Sequence, residues 1–391
     1  MTQTDVDVAI LGGGIAGLWL LARLRKAGYS VLLLENAGLG AGQTLASQGI
    51  IHGGLKYALD LKLNADSAAL ADMPARWRAC LDGSGEIDLR GARLAAANHL
   101  FWARKTLASR IAGFFGSKLL RGRVDALKPE QWPAVLRDPE HVAAVYALDE
   151  CVLDVPSLLV ALSGLHAYAI KAVDGDVTVT PQEGRVALSC SDADGRVRHF
   201  TAGTLVSTAG AGNEAIIAQL GLPARAAQRR PLQMLLVDHA PGPLWAHCFD
   251  ASDKPRVTIT THYRHDGTPV WYVGGLVAEQ GATQSEAALI DAGRAELATL
   301  LPGQDFNRCR FAGFRVDRAE GATDDGRKPE GPVLHPHGRV LLAWPTKLAL
   351  APQLADRVLA ELPPATGLVS DYNDWSAPGI APAPWETVSW K

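Results

Sequence analysis

The chain opens with two apolar segments that flank a glycine-rich turn and a helix. Residues 6–10 carry an apolar side chain at every second position, which is typical of a strand. Residues 15–27 predict a helix that ends at Gly28, a common stop signal. Residues 30–35 form a short apolar run, as expected of a strand covered on both faces. This order predicts a βαβ unit with a right-handed crossover.

The remaining apolar patterns predict further strands and helices. Residues 41–57 are rich in Gly, Ser, Thr and Gln and predict a loop that enters a helix. Residues 65–149 are expected to be mostly helical. Later strands are expected at 204–207, 233–237, 256–261, 270–273 and 339–344, and later helices at 285–301 and 351–362.

The order of these elements predicts an α/β fold. One domain is expected to be a doubly wound, Rossmann-like sheet that binds a dinucleotide, assembled from residues 1–80, 151–225 and 310–391. An inserted α+β domain, formed by residues 81–150 and 226–309, is expected to supply the substrate side of the site.

Composition and charge add few constraints. The chain has 391 residues, 48% of them hydrophobic, and a formal net charge of −3, which is typical of a soluble globular protein and gives no sign of nucleic-acid binding. Its five cysteines are scattered without a C-x-x-C pair, so we expect reduced thiols and no metal. The first residues lack the positive segment of a signal peptide, and a cytoplasmic protein is expected.

Gly12, Gly14 and Gly17 have the G-x-G-x-x-G spacing of a dinucleotide fingerprint. The first glycine permits the tight turn, the second lets the backbone approach the phosphates, and the third allows the helix to pack closely on the strand. The start of the helix offers N–H groups and a positive dipole end to the pyrophosphate. Glu35, at the end of the second strand, is placed to bind the ribose hydroxyls. This fingerprint alone does not separate NAD from FAD.

Residues 46–57 carry a second signature, Ala-Ser-Gln-Gly-Ile-Ile-His-Gly-Gly-Leu-Lys-Tyr. It resembles the second signature of the D-amino-acid oxidase superfamily, nearest the glycerol-3-phosphate dehydrogenase and glycine oxidase branch. Three later segments resemble motifs of that family in the same order: Thr-Ala-Gly at 208–210, Gly-Phe-Arg at 313–315 and Pro-Thr-Lys-Leu at 345–348.

The resemblance implies a flavoenzyme with non-covalent FAD, in which a hydride moves to flavin N5 from a carbon that bears an amine or a hydroxyl. It further implies that Lys347 stabilises the reduced flavin and that the guanidinium of Arg315 binds an anionic substrate. The expected cofactor-binding residues are Gly12, Gly14, Ile15, Ala16, Gly17, Glu35, Asn36, Gln43, Thr44, Ala46, Ser47, Gln48, Gly49, Val173, Thr208, Ala209, Gly210, Thr346, Lys347 and Leu348.

The sequence departs from the family's pattern at several positions. Lys56 stands where the glycerol-phosphate enzymes have an arginine, and a lysine cannot form the same fork with phosphate. Val316 replaces a proline, residues 345–346 replace two glycines, and Gln233 stands where that branch has an active-site histidine. The resemblance therefore supports the family and FAD, but not glycerol 3-phosphate as the substrate.

Two histidines are further candidates for the site. His52 fits proton transfer, and it equally fits a helix-entry residue that packs on the glycine-rich loop. His262 lies beside a predicted hairpin and fits either a position over the flavin or a solvated turn. Arg315 also has a plain alternative, an ion pair with Asp317 or Asp324. The candidate catalytic residues are Arg315, Lys347, His52, Lys56, Gln233 and His262.

The leading hypothesis is FAD-dependent oxidation of a small anionic amine or hydroxy compound, with oxygen or a quinone as the electron acceptor. Residues 101–123 interleave aromatic and basic side chains and fit a membrane-surface helix that serves a quinone. A helix packed in the inserted domain is favoured, because Gly113 and Gly116 interrupt the pattern. The alternatives are an NAD-dependent oxidoreductase, for which no second fingerprint is found, and a non-catalytic flavin-binding or RNA-modification partner protein.

Overall fold

Two large β-sheets and a small two-stranded sheet, with helices around them, form the fold. The computed structural model describes residues 4–54, 70–105, 124–249, 254–367 and 374–391. Its strands are β1 (Thr4–Leu11), β2 (Val31–Glu35), β3 (Leu94–Ala96), β4 (Leu100–Arg104), β5 (Val124–Leu127), β6 (Val142–Leu148), β7 (Val152–Leu153), β8 (Ile170–Gln182), β9 (Arg185–Asp192), β10 (Val197–Ser207), β11 (Ala227–Asp238), β12 (Ala246–Phe249), β13 (Pro255–Tyr263), β14 (Pro269–Gly274), β15 (Arg310–Gly321), β16 (Val333–His337) and β17 (Val340–Trp344). Its helices are α1 (Ile15–Lys26), α2 (Met73–Asp82), α3 (Val155–Leu165), α4 (Asn213–Gln219), α5 (Leu276–Gly281), α6 (Glu286–Leu300), α7 (Ala351–Glu361) and α8 (Pro384–Thr387).

The first sheet carries the N-terminal βαβ unit. Its strand β1 lies between two parallel neighbours, with Val8 paired to Val31 of β2 on one side and to Thr204 of β10 on the other. Parallel strands β8 and β17 extend the sheet beyond β2 and β10, and β16 runs antiparallel to β17 at the far edge. Every residue of β2 and β17 is buried, as expected of strands covered on both faces.

Different elements cover the two faces of this sheet. Helices α1, α3 and α7 pack on one face, where Trp19 of α1 contacts Trp77 of α2 with ring centroids 4.5 Å apart. On the other face, the antiparallel strand β9 links β8 to β10, and together with α4 these strands bury Val6 and Leu32. Since parallel strands present their carboxyl ends at one edge, the loops that follow β1, β2, β10 and β17 meet there.

The second sheet has eight strands in the order β15-β11-β14-β13-β12-β4-β6-β5, and only β12 and β4 pair in parallel. Its longest pairing joins β11 to β15 in regular register from Ala227 opposite Gly321 to Asp238 opposite Arg310. Helices α5 and α6 pack on the outer face of this pair, where Leu289 contacts the sheet core. The inner face of this pair therefore faces the edge of the first sheet.

Two expectations differ from this architecture. Residues 65–149 are not mostly helical in their described part, which holds α2 and strands β3 to β6. In β6, Val142, Val145 and Leu148 are buried while the residues between them are half-buried, and this period of three imitates a helical pattern. Strand β15 lies in the second sheet, whereas the sequence predicts that residues 310–391 belong to the dinucleotide-binding domain, because the pattern of a strand does not reveal its neighbour.

The basic, aromatic stretch at 101–123 begins in strand β4, and its residues 106–123 lie outside the described residues. Among the residues that the structure does describe, none of the helices combines the length and the hydropathy needed to cross a bilayer.

Candidate functional site

Two glycines of the fingerprint, Gly12 and Gly17, are packed closely against backbone. Gly12 has φ +97°, and a Cβ there would lie 2.8 Å from the Cα of Ala209. A Cβ on Gly17 would lie 2.0 Å from the carbonyl oxygen of Gly12, which no side chain can tolerate. A Cβ on Gly14 would lie 3.0 Å from Thr44 Oγ1. The turn therefore requires glycine at positions 12 and 17, and a side chain at position 14 would be tightly packed against Thr44.

Helix α1 begins directly after this turn. The residue before it, Gly14, is extended and supplies no capping side chain, and the first turn contains no acidic residue. Thr44 Oγ1 accepts a hydrogen bond from the backbone N–H of Ile15 at 3.0 Å, so the loop after β2 is fixed to the start of the helix. The arrangement leaves a positive helix end beside a backbone-lined hollow, which is what a pyrophosphate requires.

Glu35 ends β2 at the rim of the same hollow. Its carboxylate accepts hydrogen bonds from the backbone N–H groups of Gly13 and Ala37, each at 2.6 Å. The side chain is largely buried and lines a cavity that begins at the fingerprint. The carboxylate of Glu35 thus fixes the geometry of the glycine turn. It also lies at the position expected for a contact with the ribose.

A cavity of about 960 Å³ runs from the fingerprint to the inner face of the second sheet. Most of the residues expected to bind the cofactor lie on its wall, namely Gly12, Gly14, Ile15, Ala16, Glu35, Asn36, Gln43, Thr44, Ala46, Ser47, Gln48, Gly49, Thr208, Ala209, Gly210, Thr346, Lys347 and Leu348. Gly17 lies beneath the turn, and Val173 lies in β8 opposite Asp192, so neither is on the wall. Asp176 and Val177 line the cavity from that strand instead.

One hydroxyl on the wall has no protein partner. Ser47 Oγ is buried and makes no hydrogen bond within the described part of the chain. Gln48 differs, because its side-chain amide donates to the carbonyl oxygens of Thr258 at 2.8 Å and Tyr272 at 3.0 Å and so joins the loop to the second sheet. The loop at 41–49 is thus both a wall of the cavity and a link between the two sheets.

The second sheet supplies two arginines to the cavity. Arg230 of β11 and Arg318 of β15 stand directly opposite each other, and both line the wall. Since side chains alternate along a strand, Gln233 and Arg315, which also pair with each other, lie on the opposite face. Arg315 is exposed there and does not line the cavity.

Gln233 is held away from the cavity. The side chain is buried, and its amide lies 2.9 Å from the carbonyl oxygen of Gly281 and 3.3 Å from that of Gln284. It packs beside Gly313, where an added Cβ would lie 2.9 Å from the side-chain amide of Gln233. This residue joins β11 to the helices on the outer face.

Arg230 is bound by a buried acid. Its guanidinium donates two hydrogen bonds of 2.7 Å to the carboxylate of Glu320, which is 1% exposed. Two cations directly opposite each other on a sheet repel, and the carboxylate of Glu320 compensates the charge of Arg230.

His52 lines the cavity and leads to a group of buried polar side chains. Its Nδ1 lies 3.2 Å from Glu150 Oε2, and Glu150 Oε1 accepts a hydrogen bond from the backbone N–H of Gly53 at 2.8 Å. The ring of His247 stacks on His52 with centroids 6.1 Å apart, and its Nδ1 lies 2.8 Å from Thr258 Oγ1. His99 packs on His247 with centroids 4.2 Å apart.

Burial and neighbouring charge have opposite effects on the pKa values of these side chains. Burial alone would raise the pKa of Glu150, but the charge of His52 and hydrogen bonds from His52 and Gly53 outweigh it, so the pKa lies below its usual range. Burial lowers the pKa of His99 to about 3, against the opposing pull of Glu150. Glu150 is therefore an anion inside the protein, and His99 is neutral.

The remaining candidate residues are His262, Lys56 and Lys347. His262 is buried within β13, stacks on Trp385 with centroids 4.0 Å apart, and does not line the cavity. Burial lowers its pKa to about 3, so the ring is neutral and neither over the cavity nor solvated. Lys56 lies outside the described residues. Lys347 lines the cavity directly after Thr346, which has φ +63°, a conformation that β-branched residues rarely adopt.

Comparison with known proteins places this arrangement in a family. The sequence model of a family described as FAD dependent oxidoreductase matches residues 7–347. The chain belongs to this family of FAD-dependent oxidoreductases. The probable FAD-dependent oxidoreductase PA4991 of Pseudomonas aeruginosa is 50% identical over 361 residues, which is 92% of this chain and 91% of that protein.

Members of the family share the fold as well. The crystal structure of PA4991 matches with a TM-score of 0.84 and 42% identity over a longer alignment that covers 99% of both chains. Glycine oxidase from Geobacillus kaustophilus matches with a TM-score of 0.62 at 18% identity, covering 92% of this chain and 95% of that one. L-α-glycerophosphate oxidase from Mycoplasma pneumoniae, solved with FAD bound, matches with a TM-score of 0.63 at 14% identity, covering 97% and 99%. The last two show the fold alone.

The cofactor is FAD, and the cavity fits it. A turn that admits no Cβ at Gly12 and Gly17, an open helix start and the buried hydroxyl of Ser47 are the features that a pyrophosphate and its neighbouring atoms require. The family, the FAD cofactor and the Rossmann-like α/β fold expected from the sequence are confirmed.

Sequence reasoning missed four residues of the site. The alternation of side chains along β11 and β15 could have indicated Arg230 and Arg318, since every second residue of a strand lies on the same face. Glu150 and His247 have no such signal, because neither belongs to a recognisable motif in the sequence. Only the packing of β6, β12 and the loop at 50–54 brings them to His52.

Proposed function

We propose that this FAD-dependent oxidoreductase oxidises a small anionic compound at a carbon that bears an amine or a hydroxyl. The supporting observation is the pair Arg230 and Arg318, which face each other on the wall of a cavity that also contains the dinucleotide fingerprint. Guanidinium groups bind carboxylate or phosphate through paired hydrogen bonds.

Each part of the wall has a role in this proposal. FAD supplies the acceptor for the hydride that leaves the substrate carbon. Arg318 binds the anionic group, and Arg230, kept in place by Glu320, orients it from the opposite strand. Lys347 adds a positive charge at the end of β17, where it favours negative charge that develops during the reaction.

The test is anaerobic reduction of the purified, FAD-loaded protein by a panel of compounds. The panel contains D- and L-amino acids, N-methyl amino acids, 2-hydroxy acids and glycerol 3-phosphate, each paired with a neutral ester or an uncharged analogue. We expect the visible band of the flavin to bleach with an anionic member and not with its uncharged partner. Bleaching only by uncharged compounds would overturn the proposal. Reoxidation in air, compared with reoxidation by a quinone, then identifies the electron acceptor.

A further inference from the structure

Thr346 has a backbone conformation that its side chain does not favour. Its φ is +63°, and among the described residues other than glycine only His239 shares a positive φ. The N–H of Lys347 donates to the carbonyl oxygen of Pro345 at 2.7 Å, which closes a three-residue turn around Thr346. A γ-turn with a positive φ at its centre is rare and strained. Glycine would adopt this conformation without strain, whereas a β-branched residue does not.

The hydroxyl of Thr346 holds this turn to a second segment of the chain. Its Oγ1 donates to the carbonyl oxygen of Gly331 at 2.7 Å. Two residues after Gly331, Val333 begins β16 opposite Trp344, which ends β17. The hydroxyl therefore extends the contact between the two segments beyond the last pair of the two strands.

The segment that ends at Gly331 is also part of the cavity wall. Arg327 lies on that wall, and its carbonyl oxygen accepts hydrogen bonds from the amide of Gln228 and from the hydroxyl of Thr323, both at 2.7 Å. Side chains thus fix the segment at two places, and the hydroxyl of Thr346 is the one that joins it to the turn after β17.

Threonine adds a specific contact at this position. A strained backbone conformation persists only where its surroundings impose it. The hydrogen bond to Gly331 is a contact that glycine could not make, and it holds the turn closed from the side. Lys347 follows directly and lines the cavity. The direction in which the side chain of Lys347 leaves the backbone therefore depends on the conformation of Thr346.

The position of a charge near a flavin affects its reduction potential. A positive charge close to the ring stabilises the reduced, anionic form and raises the potential. This stabilisation falls as the distance between the two charges grows. In the proposed function above, Lys347 supplies that charge at the end of β17.

We infer that Thr346 is a positioning residue for Lys347, through the hydrogen bond from its hydroxyl to Gly331; this rests on the role of Lys347 in the proposed function above. Thr346 exchanges no proton or electron with the cofactor or the substrate. It fixes the turn between β17 and the segment at 327–331, and through the position of Lys347 it raises the reduction potential of the bound FAD.

The experiment compares the wild-type holoenzyme with three variants of Thr346. Thr346→Val keeps the branched shape and removes the donor, Thr346→Ser keeps the donor, and Thr346→Gly removes both the donor and the strain. Thr299→Val is the matched control, because the hydroxyl of Thr299 donates to the carbonyl oxygen of Ala295 at 2.8 Å on the exposed side of α6. The readout is the midpoint potential of the bound FAD, measured by reductive titration against a reference dye without substrate.

We expect the potential to follow the hydroxyl. Thr346→Val and Thr346→Gly should both lower the midpoint potential by about 30 mV or more, which is about a tenfold change in the equilibrium constant of a two-electron couple. Thr346→Ser and Thr299→Val should match the wild type. Rescue by serine would not be seen if the branched side chain served only to fill space.

A double-mutant cycle tests the route of the effect. Lys347→Met should lower the potential, because it removes the charge near the flavin. Adding Thr346→Val to Lys347→Met should then have no further effect, since the charge to be positioned is gone. Additive effects of the two substitutions would overturn positioning through Lys347.

The remaining outcomes separate the inference from the proposed function. An unchanged potential in both Thr346→Val and Thr346→Gly, or an equal effect of Thr299→Val, would overturn the inference alone if Lys347→Met lowers the potential. An unchanged potential in Lys347→Met would overturn the role of Lys347 and the inference with it, while the panel of anionic compounds still tests the substrate. Flavin content and the melting temperature establish that each variant is folded and loaded.

Discussion

A Cβ on Gly17 would lie 2.0 Å from the carbonyl oxygen of Gly12. The two glycines thus bring α1 against the turn that follows β1, at the point where the pyrophosphate of FAD is expected. The variant Gly17→Ala should lose most of its bound flavin and about 2–3 kcal/mol of stability, because the helix has to move away from the strand. Flavin absorbance per protein and thermal unfolding measure both effects.

The chain offers a matched control for this substitution. Gly164 lies in α3, and a Cβ there would meet nothing within 4 Å. Gly164→Ala should keep its flavin and gain up to about 1 kcal/mol, since alanine has the higher helix propensity. A flavin content of Gly17→Ala equal to that of Gly164→Ala would contradict the close packing of the turn.

Arg318 and Arg315 lie on opposite faces of one strand and give a direct test of which face binds the substrate. Arg318→Met should raise KM, or the Kd of an anionic inhibitor, by about 10- to 100-fold, because a charge-assisted hydrogen bond is lost. Arg315→Met should change neither, since the side chain is exposed outside the cavity. Titration of the flavin spectrum with a carboxylate inhibitor provides the measurement. A larger effect in Arg315→Met would restore the role that the sequence motif predicts.

Buried neutral histidines make stability depend on pH. The folded protein holds the pKa of His262 at about 3, whereas an unfolded histidine titrates near its ordinary value of 6.5. Between these values the unfolded chain binds the proton and the folded one does not, so stability is complete above pH 6.5 and declines as the pH falls toward about 3. The slope from this residue approaches about 1.4 kcal/mol per pH unit.

His262→Phe should flatten part of that decline. Phenylalanine keeps a ring against Trp385 and removes the titrating group, although the contact with Thr260 at 3.0 Å is lost. Melting temperatures at pH 7.5 and pH 5 should therefore differ less in the variant than in the wild type. Parallel decline of both proteins between the two pH values would rule out His262 as a source of the acid sensitivity.

Gln48 joins the FAD-binding loop to the second sheet through two carbonyl oxygens. Gln48→Glu places a carboxylate oxygen where the amide donated, and we expect a loss of about 2–3 kcal/mol in the free energy of unfolding. Gln43→Glu is the control, because the amide of Gln43 donates to one carbonyl oxygen only, that of Ala319 at 3.1 Å. Denaturant unfolding compares the two, and equal losses would argue against the double link.

The parts of the fold that the sequence predicts are those with a local signal. The fingerprint, α1, β2, α6 and α7 each follow from periodicity and from glycine or charge at their ends, and the structure has them within a residue or two of the expected limits. Strand β6 could not be predicted in this way. Its buried residues recur with a period of three, so a strand resembles a helix until its neighbours β4 and β5 are known.

The residues of the site also divide into those with a local sequence signal and those without one. Residues that contact backbone or phosphate sit in motifs with fixed spacing and could be named in advance. Arg318 could be distinguished from Arg315 only by the side on which β15 faces the cavity, which depends on its pairing with β11. Glu150 reaches His52 through tertiary packing between segments far apart in the chain. No local pattern carries that information.

The loops after β1, β2, β10 and β17 form the wall of the cavity. The turn after β17, which includes Leu348, lies late in the chain. A polypeptide still emerging from the ribosome therefore lacks one side of the FAD site until nearly all of both sheets has been made. We therefore expect FAD to bind only after this turn has been synthesised, and the bound flavin then links early and late segments of the chain. Flavin colour in a cell extract would thus report chains that extend at least through this turn.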